Sequence, residues 1–103
     1  MKLNLMERFN ILGVLPKESN FATLQIVRDL QKDLSLTEKE HKEFDFKHEE
    51  NQFKWNEKGS EEREIKIGEK ATDIIVEALK ELDKSKKITP QILSVYEKFM
   101  MKE

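Results

Sequence analysis

Two histidines surrounded by glutamates form the arrangement in this chain that most resembles a metal site. The histidines are His41 and His48, and the carboxylates near them are Glu40, Glu43, Glu49 and Glu50. A zinc site needs three or four converging ligands, and a helical site commonly places two histidines four residues apart. These two are seven residues apart, across a predicted change from helix to strand. We therefore predict no metal site, with His48 packed edgewise beside Phe53 and His41 in solvent.

The other reactive residue types do not form a pattern typical of an enzyme. Paired carboxylates act as acid and base only in a cleft that raises one pKa, and the glutamates here fall mainly on predicted polar faces. The serines have no histidine nearby in the sequence, and the three glycines are isolated and cannot build a phosphate-binding loop. With no cysteine, thiol catalysis and thiolate metal sites are excluded. We predict a protein that is not an enzyme and holds no cofactor.

The composition predicts one small domain over residues 1–103. Charged residues make up 39% of the chain and hydrophobic residues 37%, and the net charge is −2. Residues 37–64 hold ten acidic and six basic side chains, so no segment forms the basic footprint usual in nucleic-acid binders. The N-terminus lacks a signal-peptide pattern, and no window approaches the roughly 18 apolar residues of a membrane span. We expect a cytoplasmic protein without a membrane partner.

Capping residues predict the first two helices. Asn4 is placed to cap a helix over residues 5–12, and Gly13 is placed to end it in a left-handed conformation. Either Ser19 or Asn20 begins the second helix. The apolar stripe of that helix consists of Phe21, Leu24, Val27 and Leu30.

A third short helix and an acidic charge pattern follow. Thr37 and Glu40 form a capping box that begins a helix ending near Phe44. Two helices followed by strands are the order of a winged-helix module, whose recognition helix would be residues 37–44. That segment carries three acids against two lysines, whereas a helix in a DNA groove needs cations to meet the phosphates.

From Phe44 onward the apolar period changes to two, which predicts strands. A turn centred on Glu50 and Asn51 places Phe46 opposite Trp55 and His48 opposite Phe53 on one aromatic face. A third strand is predicted over residues 65–67. An exposed aromatic face could stack single-stranded nucleic acid, but acids flank this one. We therefore predict that the face, which includes Phe44, Phe46, Phe53 and Trp55, packs in the core against helix 69–82.

Two amphipathic helices complete the predicted fold. The stripe of the first consists of Ala71, Ile74, Ile75, Ala78, Leu79 and Leu82. Thr89 and Pro90 begin the second, whose stripe consists of Ile92, Leu93, Tyr96, Phe99 and Met100. The short connection between them predicts a helical hairpin. The predicted fold class is therefore α+β, with three N-terminal helices, a small antiparallel β-sheet in a winged-helix-like order, and a C-terminal helical hairpin.

Several short segments together resemble a family of small uncharacterised proteins found in bacteria and their phages. The segments are Glu7-Arg8, Leu15-Pro16, Asn20-Phe21, residues 24–28, residues 34–38, residues 54–56, residues 67–72 and residues 96–99. They are spread over nearly the whole chain. The resemblance implies a complete protein and an origin in a phage or prophage, and it implies no particular activity.

As function we predict a non-enzymatic protein-binding or accessory module with a protein partner. Its docking edge is predicted on the last helix, where Val95, Met100 and Met101 fall partly outside the apolar line, because flexible methionines suit adaptable contacts. The alternative is a winged-helix DNA-binding or regulatory protein. Its contacts would come from the wing or from Lys84, Lys86 and Lys87, because the acidic helix 37–44 disfavours nucleic acid.

Overall fold

Five helices and four short strands make up the regular structure of residues 1–100, the part of the chain that the computed structural model describes. The helices are α1 (Leu5–Val14), α2 (Phe21–Leu34), α3 (Glu38–Glu43), α4 (Glu69–Lys84) and α5 (Leu93–Met100). The strands are β1 (Lys2–Leu3), β2 (Lys47–Glu49), β3 (Gln52–Lys54) and β4 (Arg63–Glu64), and a 3₁₀ turn covers Glu57–Ser60. The predicted α+β class is confirmed, with three N-terminal helices and a C-terminal pair, α4 and α5, packed against each other.

Side-chain caps begin the N-terminal helices where the sequence predicts them. The Asn4 side chain accepts a hydrogen bond from the Glu7 amide (2.9 Å), and the Glu7 carboxylate accepts one from the Asn4 amide (3.0 Å). Thr37 and Glu40 form the same reciprocal pair, at 3.1 Å in both directions. Asn20 caps α2. Each cap satisfies amides that a helix leaves without an intrahelical partner.

Two predicted helix boundaries are wrong. Helix α1 does not end at Gly13 but runs to Val14, and none of the glycines has a positive φ. Leu15 ends the helix because the proline after it restricts it to extended backbone, and its side chain enters the core. Helix α5 does not begin at Pro90 but at Leu93, after a single turn in which the Ile92 amide donates to the Thr89 carbonyl (3.1 Å).

The strands form two two-stranded antiparallel sheets rather than one. The hairpin β2–β3 has the predicted register, with His48 opposite Phe53, and its turn residues Glu50 and Asn51 have φ values of 48° and 65°. Positive φ at both positions matches the right-handed twist of the strands. The predicted third strand is wrong, because the second sheet pairs β4 with β1. Strand β1 has only two residues, too few to show an alternating pattern in the sequence.

One apolar core joins all helices except α3. It consists of Leu3, Ile11, Leu15, Val27, Leu30, Leu34, Ala71, Ile75, Leu79, Ile92, Val95 and Phe99. The predicted stripe of α4 is confirmed at its centre, where Ile75 and Leu79 are fully buried. The stripe of α2 is confirmed at Val27 and Leu30 but wrong at Phe21, which is 77% exposed. Phe21 lies at the first position of the helix, beyond the reach of the core.

Arg8 connects α1 to the junction between α2 and α3. Its side chain is buried and donates to the carbonyls of Leu34 (3.0 Å) and Ser35 (2.8 Å) and to the Glu40 carboxylate (2.9 Å). Those hydrogen bonds from Arg8 are the largest cause that lowers the pKa of Glu40, although burial opposes them and the Thr37 amide adds to them. Because the two carbonyls lie where α2 ends, a single guanidinium holds both the end of α2 and the start of α3.

Glu7 connects α1 to the opposite side of the molecule. Its buried carboxylate accepts hydrogen bonds from the Ser94 hydroxyl (3.0 Å) and the Lys98 ammonium (2.8 Å), both on α5. Lys98 also pairs with Glu62. Burial alone raises the pKa of Glu7, but the hydrogen bonds from Lys98, the Asn4 amide and Ser94 outweigh it and hold this pKa below its ordinary value. Within residues 1–100, every buried side-chain nitrogen and oxygen has a hydrogen-bond partner.

The lowered pKa values of Glu7 and Glu40 make stability depend on pH in a defined direction. A group whose pKa is lower in the folded state binds protons more readily when unfolded, so its stabilisation is present above the ordinary glutamate pKa of 4.5. It is lost as the pH falls through the folded-state value. We expect Glu7→Gln to lower the free energy of unfolding at neutral pH by about 1–3 kcal/mol and to flatten the loss of stability below pH 4.5.

Urea denaturation at a series of pH values measures this effect. The exposed Glu97→Gln, on the same helix as Lys98 and without an ion pair among the described residues, is the control and should follow the wild-type profile. A Glu7→Gln profile that parallels the wild type at every pH would show that Glu7 does not contribute through its ionised form.

Candidate functional site

A groove lies between α4 and the connection from α1 to α2. It encloses about 760 Å³. Its floor is apolar and is formed by Val14 at the end of α1 together with Ile74, Ala78 and Leu82 on α4. All four side chains are half-buried. The floor therefore leaves apolar surface in contact with water, beside core residues that are buried.

The positions of the α4 residues explain the shape of the floor. Ala71, Ile75 and Leu79 follow one line along the helix and are buried, whereas Ile74, Ala78 and Leu82 follow the adjacent line. Residues four apart lie above one another on a helix, so the second line runs about 12 Å along the axis. The sequence places all six residues in one core stripe, but the core covers only the first line completely.

The two walls of the groove differ in charge. One is a row of exposed carboxylates on α4, which we call the acidic rim, formed by Asp73, Glu77 and Glu81. The opposite wall is polar and comes from the start of α2, with Ser19, Asn20 and Thr23. Lys87 lies at the end of the groove where α4 terminates.

A second hollow of about 460 Å³ lies between the other halves of the same two helices. Its apolar lining includes Ile26, Leu30 and Ala71. Its charged lining consists of Asp29, Asp33, Glu69 and Lys70. The start of α2 thus faces the later part of α4, and the middle of α2 faces the start of α4. Carboxylates outnumber lysines in both hollows.

The aromatic face of the hairpin lies at the surface, contrary to the prediction that it packs in the core against helix 69–82. Phe46, Phe53 and Trp55 gather around Phe9 of α1, with ring centroids 5.6–5.8 Å from it. Phe53 is 55% exposed. The buried line of α4, Ala71, Ile75 and Leu79, already packs against the other helices, and strands of three residues each do not reach it.

The histidines pack against this aromatic cluster. His48 stacks on Phe53 at 4.6 Å with 24° between the rings, rather than edgewise as predicted. His41 is exposed, and its ring also contacts Phe46 edge-on at 5.0 Å. Among residues 1–100, no three histidine, aspartate or glutamate side chains converge on a point where a metal could bind.

Phe44 is separate from the cluster and is buried beneath Arg63. The Arg63 guanidinium lies 4.6 Å from the centre of the Phe44 ring, which is a cation–π contact. Arg63 also pairs with Glu43 and lies 3.9 Å from Glu40. Two of the three carboxylates of α3 are therefore engaged inside the molecule.

Docking of a partner on the last helix stays a prediction, but Val95, one of its three residues, lies elsewhere than expected. Val95 is fully buried, so its predicted position outside the apolar line is wrong. Val95 and Phe99 of α5 face the core together with Ile92 just before the helix, which leaves Leu93 47% exposed. Met100 is half-buried, and Met101 lies outside the described residues.

The lysines predicted for nucleic-acid contact lie where α4 ends. Lys84, Lys86 and Lys87 are all exposed. Lys86 has a φ of 58°, and the Lys87 amide donates to the Leu82 carbonyl (2.8 Å), which closes the helix end. Their contact with nucleic acid stays a prediction. No helix in the described part of the chain combines the length and apolarity needed to cross a membrane.

Comparisons of this chain with protein-family models, curated proteins and solved structures found no match. The groove is the feature that sequence reasoning missed. Its signal was present in the width of the α4 stripe, because six apolar residues on two adjacent lines exceed what one line of core contacts covers.

Gly59 provides a test of how the aromatic cluster is supported. It is buried directly against the Trp55 indole, and a Cβ placed on it would overlap the ring. We expect Gly59→Ala to displace the indole, to shift the emission of this single tryptophan towards that of the unfolded chain, and to destabilise the protein by about 1–3 kcal/mol. Fluorescence spectra recorded during urea unfolding give both quantities.

Gly13→Ala is the matched control, since nothing lies near a Cβ at that position within α1. It should leave the emission unchanged and stabilise the protein by about 0.5–1 kcal/mol. Identical emission maxima for Gly59→Ala and the wild type would show that Gly59 does not hold Trp55 in place.

Proposed function

We propose that this protein is a non-enzymatic protein-binding module that accepts a segment of its partner in the groove between α4 and the α1–α2 connection. The observation that carries the proposal is the half-exposed apolar line Ile74, Ala78 and Leu82 at the base of an open groove. Burial of apolar surface is the main source of affinity in protein association. On a chain with 39% charged residues, such a line is a favourable place for a partner to bind.

The chemistry of the groove supports binding rather than catalysis. Its carboxylates, Asp73, Glu77 and Glu81, are exposed, and its lining contains hydroxyl and amide groups but no histidine. General acids and bases work best where burial shifts their pKa towards neutrality. The site therefore offers shape, apolar surface and charge. An accessory role in the cytoplasm of a bacterium, encoded by a phage or prophage, is proposed on the basis of the sequence resemblance alone.

A winged-helix DNA-binding protein is the second proposal. It is supported by the order of α2, α3 and the β2–β3 hairpin. The charges of α3 do not separate the two proposals, because Glu40 and Glu43 pair with arginines of the same chain and leave Glu38 beside the exposed Lys39 and Lys42. Titration with random duplex DNA at two salt concentrations separates the two, because phosphate contacts weaken steeply as salt rises.

Ala78→Arg tests the proposed groove. Ala78 is at the centre of the floor, and a long charged side chain there fills the groove and places a charge on its apolar base. The wild type, Ala78→Arg and Gln25→Arg are each immobilised and exposed to lysate of the native host, and the retained proteins are quantified by mass spectrometry. We expect at least one protein that the wild type retains to fall about tenfold or more with Ala78→Arg, which corresponds to about 1.4 kcal/mol.

Gln25→Arg adds the same charge at an exposed position of α2 that lines neither hollow, and it should retain the wild-type set. Melting temperatures of all three proteins show whether they are folded. If Ala78→Arg retains every protein that the wild type retains, the groove is not the docking site.

A further inference from the structure

We propose that the segment that fills the groove is a basic amphipathic helix, whose apolar face contacts the floor and whose lysine or arginine side chains pair with the acidic rim. This inference rests on the proposed function and names the chemistry of the partner. It follows from the local charge of the groove, from the absence of internal partners for its carboxylates, and from the helical spacing of its two lines of residues.

The acidic charge is local to the two hollows between α2 and α4. Their lining contains the carboxylates Asp29, Asp33, Glu69, Asp73, Glu77 and Glu81, and the cations Lys70 and Lys87. The hollows therefore carry a net charge of about −4, whereas the whole chain carries −2. The rest of the chain is net positive, so the negative field of the hollows is not a consequence of composition. Such a field attracts a cationic segment and repels nucleic acid.

Several carboxylates outside the hollows have an ion pair within the described part of the chain. Glu7, Glu40, Glu43, Glu62 and Glu64 each pair with a cation of the same chain. Within residues 1–100, by contrast, no ion pair involves any of the six carboxylates of the hollows. Lys80 is three residues from Glu77 on the same helix and still does not pair with it. The rim is free to pair with cations from outside the chain.

The spacing of the rim matches a helix. Asp73, Glu77 and Glu81 follow one another at four-residue intervals, about 6 Å apart along the axis of α4. The floor line runs parallel to the rim with the same interval. The rim and the floor line are adjacent rows of side chains with a four-residue spacing. Such rows form two ridges, and a ridge of side chains on a second helix packs into the space between them. A helix with apolar residues at positions i, i+4 and i+7 covers the floor, and cations on its flank then lie along the rim.

A pair of synthetic helices tests the proposal on the full chain. One is a peptide of about 18 residues with leucines on one face and lysines on both flanks, and the other has glutamate in place of every lysine. Binding is measured by fluorescence anisotropy at about 0.05 M and about 0.15 M salt. We expect the lysine peptide to bind at least about tenfold more tightly than the glutamate peptide, with a difference that shrinks as salt rises.

Charge reversal of the rim is the decisive variant. Glu77→Lys combined with Glu81→Lys should lower the affinity for the lysine peptide about tenfold or more and raise the affinity for the glutamate peptide. Glu61→Lys combined with Glu97→Lys changes the net charge equally at exposed positions outside both hollows, and it should leave both affinities close to the wild type. If the charge-reversed protein is poorly folded, the isosteric double variant Glu77→Gln with Glu81→Gln replaces it and should also lower the affinity for the lysine peptide.

The outcomes separate this proposal from the proposed function. Ala78→Arg could abolish the binding of both peptides while charge reversal of the rim changes neither affinity. The groove then binds helices without a charge preference, and the proposal of a basic partner helix is overturned. If the control pair weakens the lysine peptide as much as rim reversal does, the attraction is unspecific and the proposal fails. If the wild type self-associates through the rim, the occupant is a second copy of this chain, which also overturns it.

Discussion

The buried guanidinium of Arg8 is the interaction on which the arrangement of the N-terminal half depends. It is 2% exposed, and all its hydrogen bonds go to one junction, the end of α2 and the start of α3. Burying a cation is costly unless it is paired and its donors are satisfied. The carbonyls of Leu34 and Ser35 supply the negative end of a helix, and Glu40 supplies a full charge. Because Glu40 also closes the cap of α3, the loss of this ion pair would loosen two helix ends together.

Glu7 extends the same constraint to the other side of α1. Consecutive residues of one helix thus contact α2 and α3 through Arg8, and α5 through Glu7. These contacts fix α1 between α5 on one side and the junction of α2 and α3 on the other. The last residue of α1, Val14, forms part of the floor of the groove. The shape of the groove therefore depends on the contacts of Glu7 and Arg8, which lie in the first half of the same helix. Polar contacts set the orientation of α1, and the apolar contacts of Ile11 and Leu15 with the core add the larger share of the burial energy.

Sequence reasoning succeeded where the cause of a structure is local. The caps at Asn4 and Thr37, the turn at Glu50 and Asn51, and the buried line of α4 each follow from residues within one or two turns. It failed where the cause is distant. Arg8 meets carbonyls more than 25 residues away and Glu7 meets α5 more than 85 residues away, and nothing in their local sequence signals burial. A polar pair in a helix normally faces water.

The errors at the surface have the same origin. The apolar residues of α5 cover almost half of its circumference, with Leu93 at one edge of that face and Val95 at the other, so its sequence alone does not decide which of the two faces the core. The aromatic hairpin shows a clean alternation, but alternation indicates which residues share a face and not what covers that face. The groove was hidden for a related reason, because the sequence describes the width of the α4 stripe and the tertiary contacts decide how much of it is covered.

A double-mutant cycle on Arg8 and Glu40 tests the central claim most directly. Arg8→Met, Glu40→Met and the combined variant are compared with the wild type by urea denaturation at neutral pH. Glu40→Met leaves the buried Arg8 without a counter-charge, and Arg8→Met leaves the half-buried Glu40 with only Arg63 at 3.9 Å. Each single change should cost about 3–5 kcal/mol, whereas the double variant should cost less than the sum by at least about 2 kcal/mol. Costs that add within about 0.5 kcal/mol would show that the two side chains act independently, and the account of how α1 is held would be wrong.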